Sequence, residues 1–229
     1  MVLLALKEDY ALKNVRIWFT KDGAARYISH LDLNRCMIRA IQKSKIPVWH
    51  TEGFNKRIFL TFSLPLSLGF RGEKESMDIK LLEETEDDKI ISELNASLPE
   101  GIRVFAVTEP KMKPKEISFA EFSINFFTKE DNTKELFLNL HNLLTKDKIL
   151  VEKKSKSGIK QVDIKEMIIK YKLDKLENSV KLDCTLMAGS VQNMNPSLIE
   201  KAYEIEYNKK IYTDITRKNL YNKDMEVFS

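Results

Sequence analysis

Val15-Arg-Ile-Trp-Phe-Thr-Lys21, then Asp22-Gly23, then Ser29-His-Leu-Asp-Leu33 is the stretch on which the fold turns. Val15, Ile17 and Phe19 alternate with Arg16 and Trp18, the period of a half-buried strand. Lys21-Asp22-Gly23 closes it with turn chemistry. Ser29 stands next as an N-cap with Asp32 as the acidic half of a capping box. Leu33, Met37, Ala40 and Ile41 then recur at helical spacing. A strand, a turn and a capped helix thus open the chain.

Working outward, Pro47 marks the end of the helix, and Ile58, Leu60 and Phe62 alternate in a second strand. Met77, Ile79 and Leu81 share one face of a third. Thr85 is expected to cap the next helix, with Asp88 at its third position and Ile90, Ile91, Leu94 and Leu98 as its buried stripe. Pro99-Glu-Gly101 ends that helix, and Ile102 to Val107 forms another strand. The order βαββαβ is the split-βαβ, ferredoxin-like unit. After a polar linker over 111–115 the order repeats. Phe122, Ile124 and Phe126 lie in a strand, and Leu136, Phe137, Leu140 and Leu144 in a helix. Strands over Ile149–Lys153 and about Val162–Tyr171 flank Lys156-Ser-Gly158. Leu182, Cys184 and Leu186 alternate in a further strand. Asn195-Pro196 starts a helix running to about Tyr207, and Ile211–Ile215 is the closing strand. The expected fold is α+β: two tandem ferredoxin-like domains with antiparallel sheets, over 1–110 and 116–229.

The chain of 229 residues is 43% hydrophobic and 31% charged, with net charge +4. Charge is segregated: residues 11–60 hold ten Lys/Arg against three Asp/Glu, and residues 72–100 hold three against ten. A basic surface and an acidic one follow, suited to a polyanion or a polar protein partner. If the acidic stretch docks a partner, Glu83, Glu84 and Glu86 are the residues that would carry it. No apolar run approaches the length of a membrane span, and Met1–Lys7 lacks the pattern of a secretory leader. A cytoplasmic protein with no membrane role is expected. Cys36 and Cys184 are too far apart in sequence for a disulfide framework or a clustered metal site, and both read as core residues. His30, His50 and His141 have no helical pairing, so no metal site is expected. No Walker loop, glycine fingerprint or nucleophile elbow is present.

Two segments carry candidate binding chemistry. Lys21, Arg26, Ser29, His30 and Arg35 surround the strand-to-helix junction, where unpaired backbone N–H groups and arginines suit a phosphate or carboxylate. His30 in the first turn has its neutral form favoured by the helix field, as a general base needs, or is simply solvated. The loop around Glu52-Gly-Phe-Asn55 and Arg57 adds Phe54, which either anchors the loop or offers a stacking face. With Tyr27, Trp49 and the nearby cations it forms the mix used for single-stranded nucleic acid. The six lysines of Lys146–Lys160 read as a solvated hairpin or a nucleic-acid contact.

The run from Arg16 through Ile28-Ser-His-Leu-Asp-Leu33 to Arg35 is similar to the opening signature of the radical SAM-linked domain of unknown function family. Glu52-Gly-Phe-Asn55, Leu64-Pro-Leu66 with Leu68-Gly69, Met77-Asp-Ile79, Lys160-Gln-Val-Asp-Ile164, Ala188-Gly-Ser190, Pro196 and Arg217–Tyr221 resemble later blocks of the same family. Lys56 departs from its pattern, which has proline there. The resemblance implies a bacterial, standalone accessory to a separate radical SAM protein. Family members are fused to or encoded beside such a protein, often near ribonuclease G and ribosomal protein genes. The iron–sulfur cluster and S-adenosylmethionine would sit on that partner, with no cofactor bound by this chain. RNA or a ribosomal component is the implied substrate. No catalytic residue carries over. The alternative is a metal-independent RNA-processing endonuclease of the ferredoxin-like CRISPR repeat-processing type, using His30, an argument by fold analogy.

Overall fold

In the computed structural model, residues 12–128, 132–155, 158–189 and 192–229 are described. Met1–Lys7, Lys156, Ser157 and Ser190 lie outside them, as do the side chains of Lys153, Lys154 and Lys160. The fold is mixed α+β, with four α-helices and mostly antiparallel strand pairing among the described residues. It divides into two compact units. One takes in the chain up to Pro65 and Glu75–Lys111; the other takes Leu66–Lys74 and Met112–Ser229.

The first unit runs β1 (Lys13–Lys21), α1 (His30–Ser44), β2 (Leu60–Phe62), β3 (Arg71–Leu81, from Glu75 onward), α2 (Asp87–Asn95) and β4 (Ile102–Thr108). Its strands lie in the order β4-β1-β3, with β2 also on β3. β1 and β4 pair antiparallel from Arg16↔Thr108 to Lys21↔Ile102. β2 and β3 pair from Leu60↔Ile79 to Phe62↔Met77. Val15, Ile17, Phe19, Met77, Ile79 and Leu81 bury one sheet face under Leu33, Met37 and Ile41 of α1 and Ile90 and Leu94 of α2. α1 begins as its sequence dictates: the Ser29 hydroxyl accepts the Asp32 N–H at 3.1 Å and donates to the Asp32 carboxylate at 2.7 Å. It ends before Pro47, where Lys45 turns left-handed. Thr85 does not cap α2. Glu86 holds the N-cap position, and the buried Thr85 hydroxyl turns back to the Glu83 carbonyl. Asp87 and Asp88 supply the negative charge that a helix start favours.

The second unit holds β5 (Ile117–Phe127), α3 (Thr133–Thr145), β6 (Leu150–Ser155), β7 (Gly158–Asp163), β8 (Ile168–Lys175), β9 (Val180–Met187), α4 (Ser197–Tyr207) and β10 (Tyr212–Asn222). Its strands lie in the order β10-β5-β9-β8, and β6 and β7 form a separate hairpin. The strand expected over 162–171 is divided by a 3-10 turn at Lys165–Met167. The closing strand runs past Ile215 to Asn222. Its pairing with β5 slips between Arg217 and Asn219, which brings Leu220 to a buried position that unbroken alternation would not give it. Leu66–Lys74 also belongs to this unit. Phe70 packs edge-on against Phe122, Arg71 and Gly72 pair with β10, and Arg71 donates to Asp214 at 3.2 Å. In the 111–115 segment, the Met112 N–H donates to the Ser229 carbonyl at 2.8 Å.

Candidate functional site

The buried row of β1 continues past Val15, Ile17 and Phe19 to its last residue, so Lys21 falls on the core side and is 1% exposed. Its ammonium donates to the Arg26 carbonyl at 3.3 Å and the Ile28 carbonyl at 3.2 Å. Lys21 is therefore not part of an exposed basic face. Between β1 and α1, a 3-10 turn spans Gly23–Tyr27. The Asp22 carboxylate accepts the Gly23 N–H at 2.7 Å, and the Asp22 N–H donates to the Gly101 carbonyl at 2.7 Å. A Cβ on Gly101 would stand 2.4 Å from the Asp22 carbonyl oxygen, so the turn closes over β4 only because position 101 is bare.

What the junction presents to solvent is Tyr27, 68% exposed, with the Arg26 guanidinium 5.4 Å from its ring centroid, and Leu31, 59% exposed. Ser29 is occupied by its cap. The Asp32 carboxylate sits in the first turn of α1, where a bound anion would have to lie. Arg35 reaches that same carboxylate at 3.3 Å, an exposed contact of little energetic weight. The expected anion seat is thus already filled by the chain. His30 packs edge-on against Phe62, centroids 4.9 Å apart. Burial against its surroundings, then the Lys21 charge, lower its pKa below the ordinary imidazole value, so the ring is neutral at pH 7.

The second predicted segment is a solvent-facing loop. Thr51 and Arg57 close its base, with the Thr51 N–H on the Arg57 carbonyl at 2.7 Å and the Arg57 N–H on the Thr51 hydroxyl at 3.2 Å. Glu52, Phe54, Asn55, Lys56 and Arg57 are all exposed, Phe54 completely. Beneath the loop the Lys80 ammonium lies 5.0 Å from the Trp49 ring and 4.9 Å from the Phe59 ring. His30 rests on Phe62, the last residue of β2, while the loop rejoins the chain at Ile58, which bridges to His50.

One pair escaped the sequence reading. Arg16, 0% exposed, grips Asp78 with both arms, Nε to Oδ1 at 2.7 Å and Nη2 to Oδ2 at 2.9 Å. The alternation of β1 sets Arg16 off the apolar row, and nothing near it in sequence marks Asp78 as its partner. Trp18, on the same face, donates its indole N–H to Thr108 at 2.9 Å. The remaining candidates are also dispersed. Lys146 pairs with Glu206 and Glu84 with Lys13, while Glu83 and Glu86 are exposed. Cys184 is buried and its thiol is pushed up to about 12; burial also raises the Cys36 thiol. His141 stacks on Phe137. Among the described residues no cluster of three or more His, Cys, Asp or Glu could hold a metal ion, and no helix is long and apolar enough to cross a membrane.

Residues 14–196 match the family described as uncharacterized protein conserved in bacteria (DUF2344), and the chain belongs to that family. No curated protein matches it. Among solved structures, an unknown protein from Galdieria sulphuraria is similar at 10% identity and a TM-score of 0.26, covering 90% of this chain and 98% of that one. Agreement that low carries no argument about fold or function.

Proposed function

Starting from that family membership, we propose that the chain is a non-catalytic accessory protein that works with a separate radical SAM protein and binds single-stranded RNA, free or ribosomal, at its strand-to-helix junction. The partner carries the iron–sulfur cluster and S-adenosylmethionine in this reading, which the resemblance of the Ser29–Leu33 signature and its flanks supports. Both units are read as ferredoxin-like. Supporting this are the βαββαβ order in each, with the β6–β7 hairpin as an insertion in the second, and the strand orders β4-β1-β3-β2 and β10-β5-β9-β8.

The observation that carries the RNA half is Tyr27 with Arg26. An aromatic face standing in solvent beside a guanidinium offers a base a stacking surface and the following phosphate a cation. Titration with labelled single-stranded and duplex RNA tests it. The single strand should bind more tightly. Tyr27→Ala should cost about 1–3 kcal/mol of affinity, and Arg26→Ala should lower the salt slope by about one. Equal affinity of both variants and the wild type would remove the RNA reading. A neutral, accessible His30 favours a second reading, metal-independent RNA cleavage. Cleavage in the same titrations, lost in His30→Ala, would establish it in place of the first.

A further inference from the structure

The row Val15, Ile17, Phe19 would be completed by any apolar side chain at position 21, yet an ammonium is buried there. A buried ammonium needs oxygen acceptors. Its acceptors include the carbonyls of Arg26 and Ile28, which stand on either side of Tyr27. Upstream, the turn is tied to β4 through Asp22 and Gly101, and Ala25 is buried beneath it. Downstream, Ser29 is fixed by its cap. Tyr27 sits in the stretch between these anchors, and Lys21 grips that stretch from below.

We propose that Lys21 is the positioning residue of the junction: its ammonium pins the backbone on both sides of Tyr27 and holds the exposed ring, with Arg26 beside it, ready for a base. This rests on the nucleic-acid reading for its purpose, though not for its geometry. A ring already fixed gives up less freedom on binding, which is how such a residue raises affinity without touching the ligand.

Lys21→Met keeps the stem and removes the donors. The variant is expected to keep its fold, to exchange the Tyr27 and Ile28 amides at least tenfold faster, and to bind single-stranded RNA about tenfold more weakly. Its salt slope should be unchanged, since Lys21 meets no phosphate. The His30 imidazole should titrate higher by NMR, because a nearby charge has gone. Lys21→Arg, which keeps charge and donors, should restore the slow exchange and most of the affinity. Unchanged exchange at Tyr27 and Ile28 in Lys21→Met overturns the assignment, and so does a salt slope lowered by about one, which would make Lys21 a direct phosphate contact. If Lys21→Met fails to fold, Lys21→Arg decides: slow exchange supports the assignment and fast exchange overturns it. If the wild type binds no RNA, the nucleic-acid reading falls alone, and the exchange and His30 measurements still decide the role of Lys21.

Discussion

At the junction, Lys21 is buried on two carbonyls, Ser29 caps α1 and Arg35 reaches Asp32, whereas across the loop Glu52, Phe54, Asn55 and Arg57 all stand in solvent. Both stretches read alike in sequence: cations, an aromatic, and a glycine between a strand and its neighbour. The difference is that β1 runs directly into the junction and carries its alternation with it, so that Lys21, Ser29 and Arg35 each meet a backbone or side-chain partner. The loop is tied only at its base, through Thr51 and Arg57. Residues of the first kind hold the backbone on which Arg26 and the exposed Tyr27 stand, and residues of the second kind cost the fold little when replaced.

The largest effect should come from the buried charge next to the junction strand. Asp78→Ala leaves the Arg16 guanidinium in the interior without its bidentate carboxylate, and should cost about 3–5 kcal/mol in chemical denaturation. Phe54→Ala and Arg57→Ala in the loop should each stay within about 0.5 kcal/mol of the wild type. A small loss for Asp78→Ala would mean that the Arg16 charge is compensated without the carboxylate, and the contrast between the regions would fail on the junction side.

Glycine substitutions sharpen the same contrast one step lower. Gly101 has φ +88, and an added Cβ would meet the Asp22 carbonyl oxygen at 2.4 Å. Gly101→Ala should therefore cost about 2–3 kcal/mol through strain and displacement of the turn. Gly53 has φ +117 with nothing within 4 Å, so Gly53→Ala should cost about 1 kcal/mol from its backbone alone. Melting temperatures of the two variants give the order directly, and a reversed order would show that the turn is not closed against β4.

How much of this could be read beforehand differs by residue. The Ser29 cap, the Leu33–Ile41 stripe and the order of elements in the first unit follow from local periodicity, because each depends on neighbours a few residues away. Lys21 was legible too, as the next member of the row 15, 17, 19, but its charge made the outward reading the natural one. Burial of a lysine requires acceptors that sequence does not display, here carbonyls five and seven residues on. Asp78 was beyond reach for the same reason at longer range, 62 residues from Arg16. The extent of β10 was hidden by a bulge that resets the alternation at Arg217/Asn219. Of the candidate binding residues, the exposure of Phe54 and the burial of Lys21 depend on what packs around each, which neighbouring residues in the chain do not display.

The smallest expected effect, and the one that separates the two regions most cleanly by chemistry, is pH dependence. His30 at the junction has its folded pKa below the ordinary imidazole value of about 6.5. Below that value the unfolded chain takes up a proton that the folded chain resists, so stability contributed by neutral His30 is present above about pH 6.5 and declines as pH falls toward the folded pKa. His30→Gln should flatten that part of the stability curve, with the difference between the two proteins largest near pH 5 and absent at pH 8. The packing that lowers the pKa is partial, since His30 is an exposed residue whose ring edge meets Phe62, so the decline should be shallow. A stability curve identical for wild type and His30→Gln between pH 5 and 8 would mean that the imidazole is solvated equally in both states. His30 would then belong with the loop residues, and the line drawn between the two regions would pass through the helix start instead of before it.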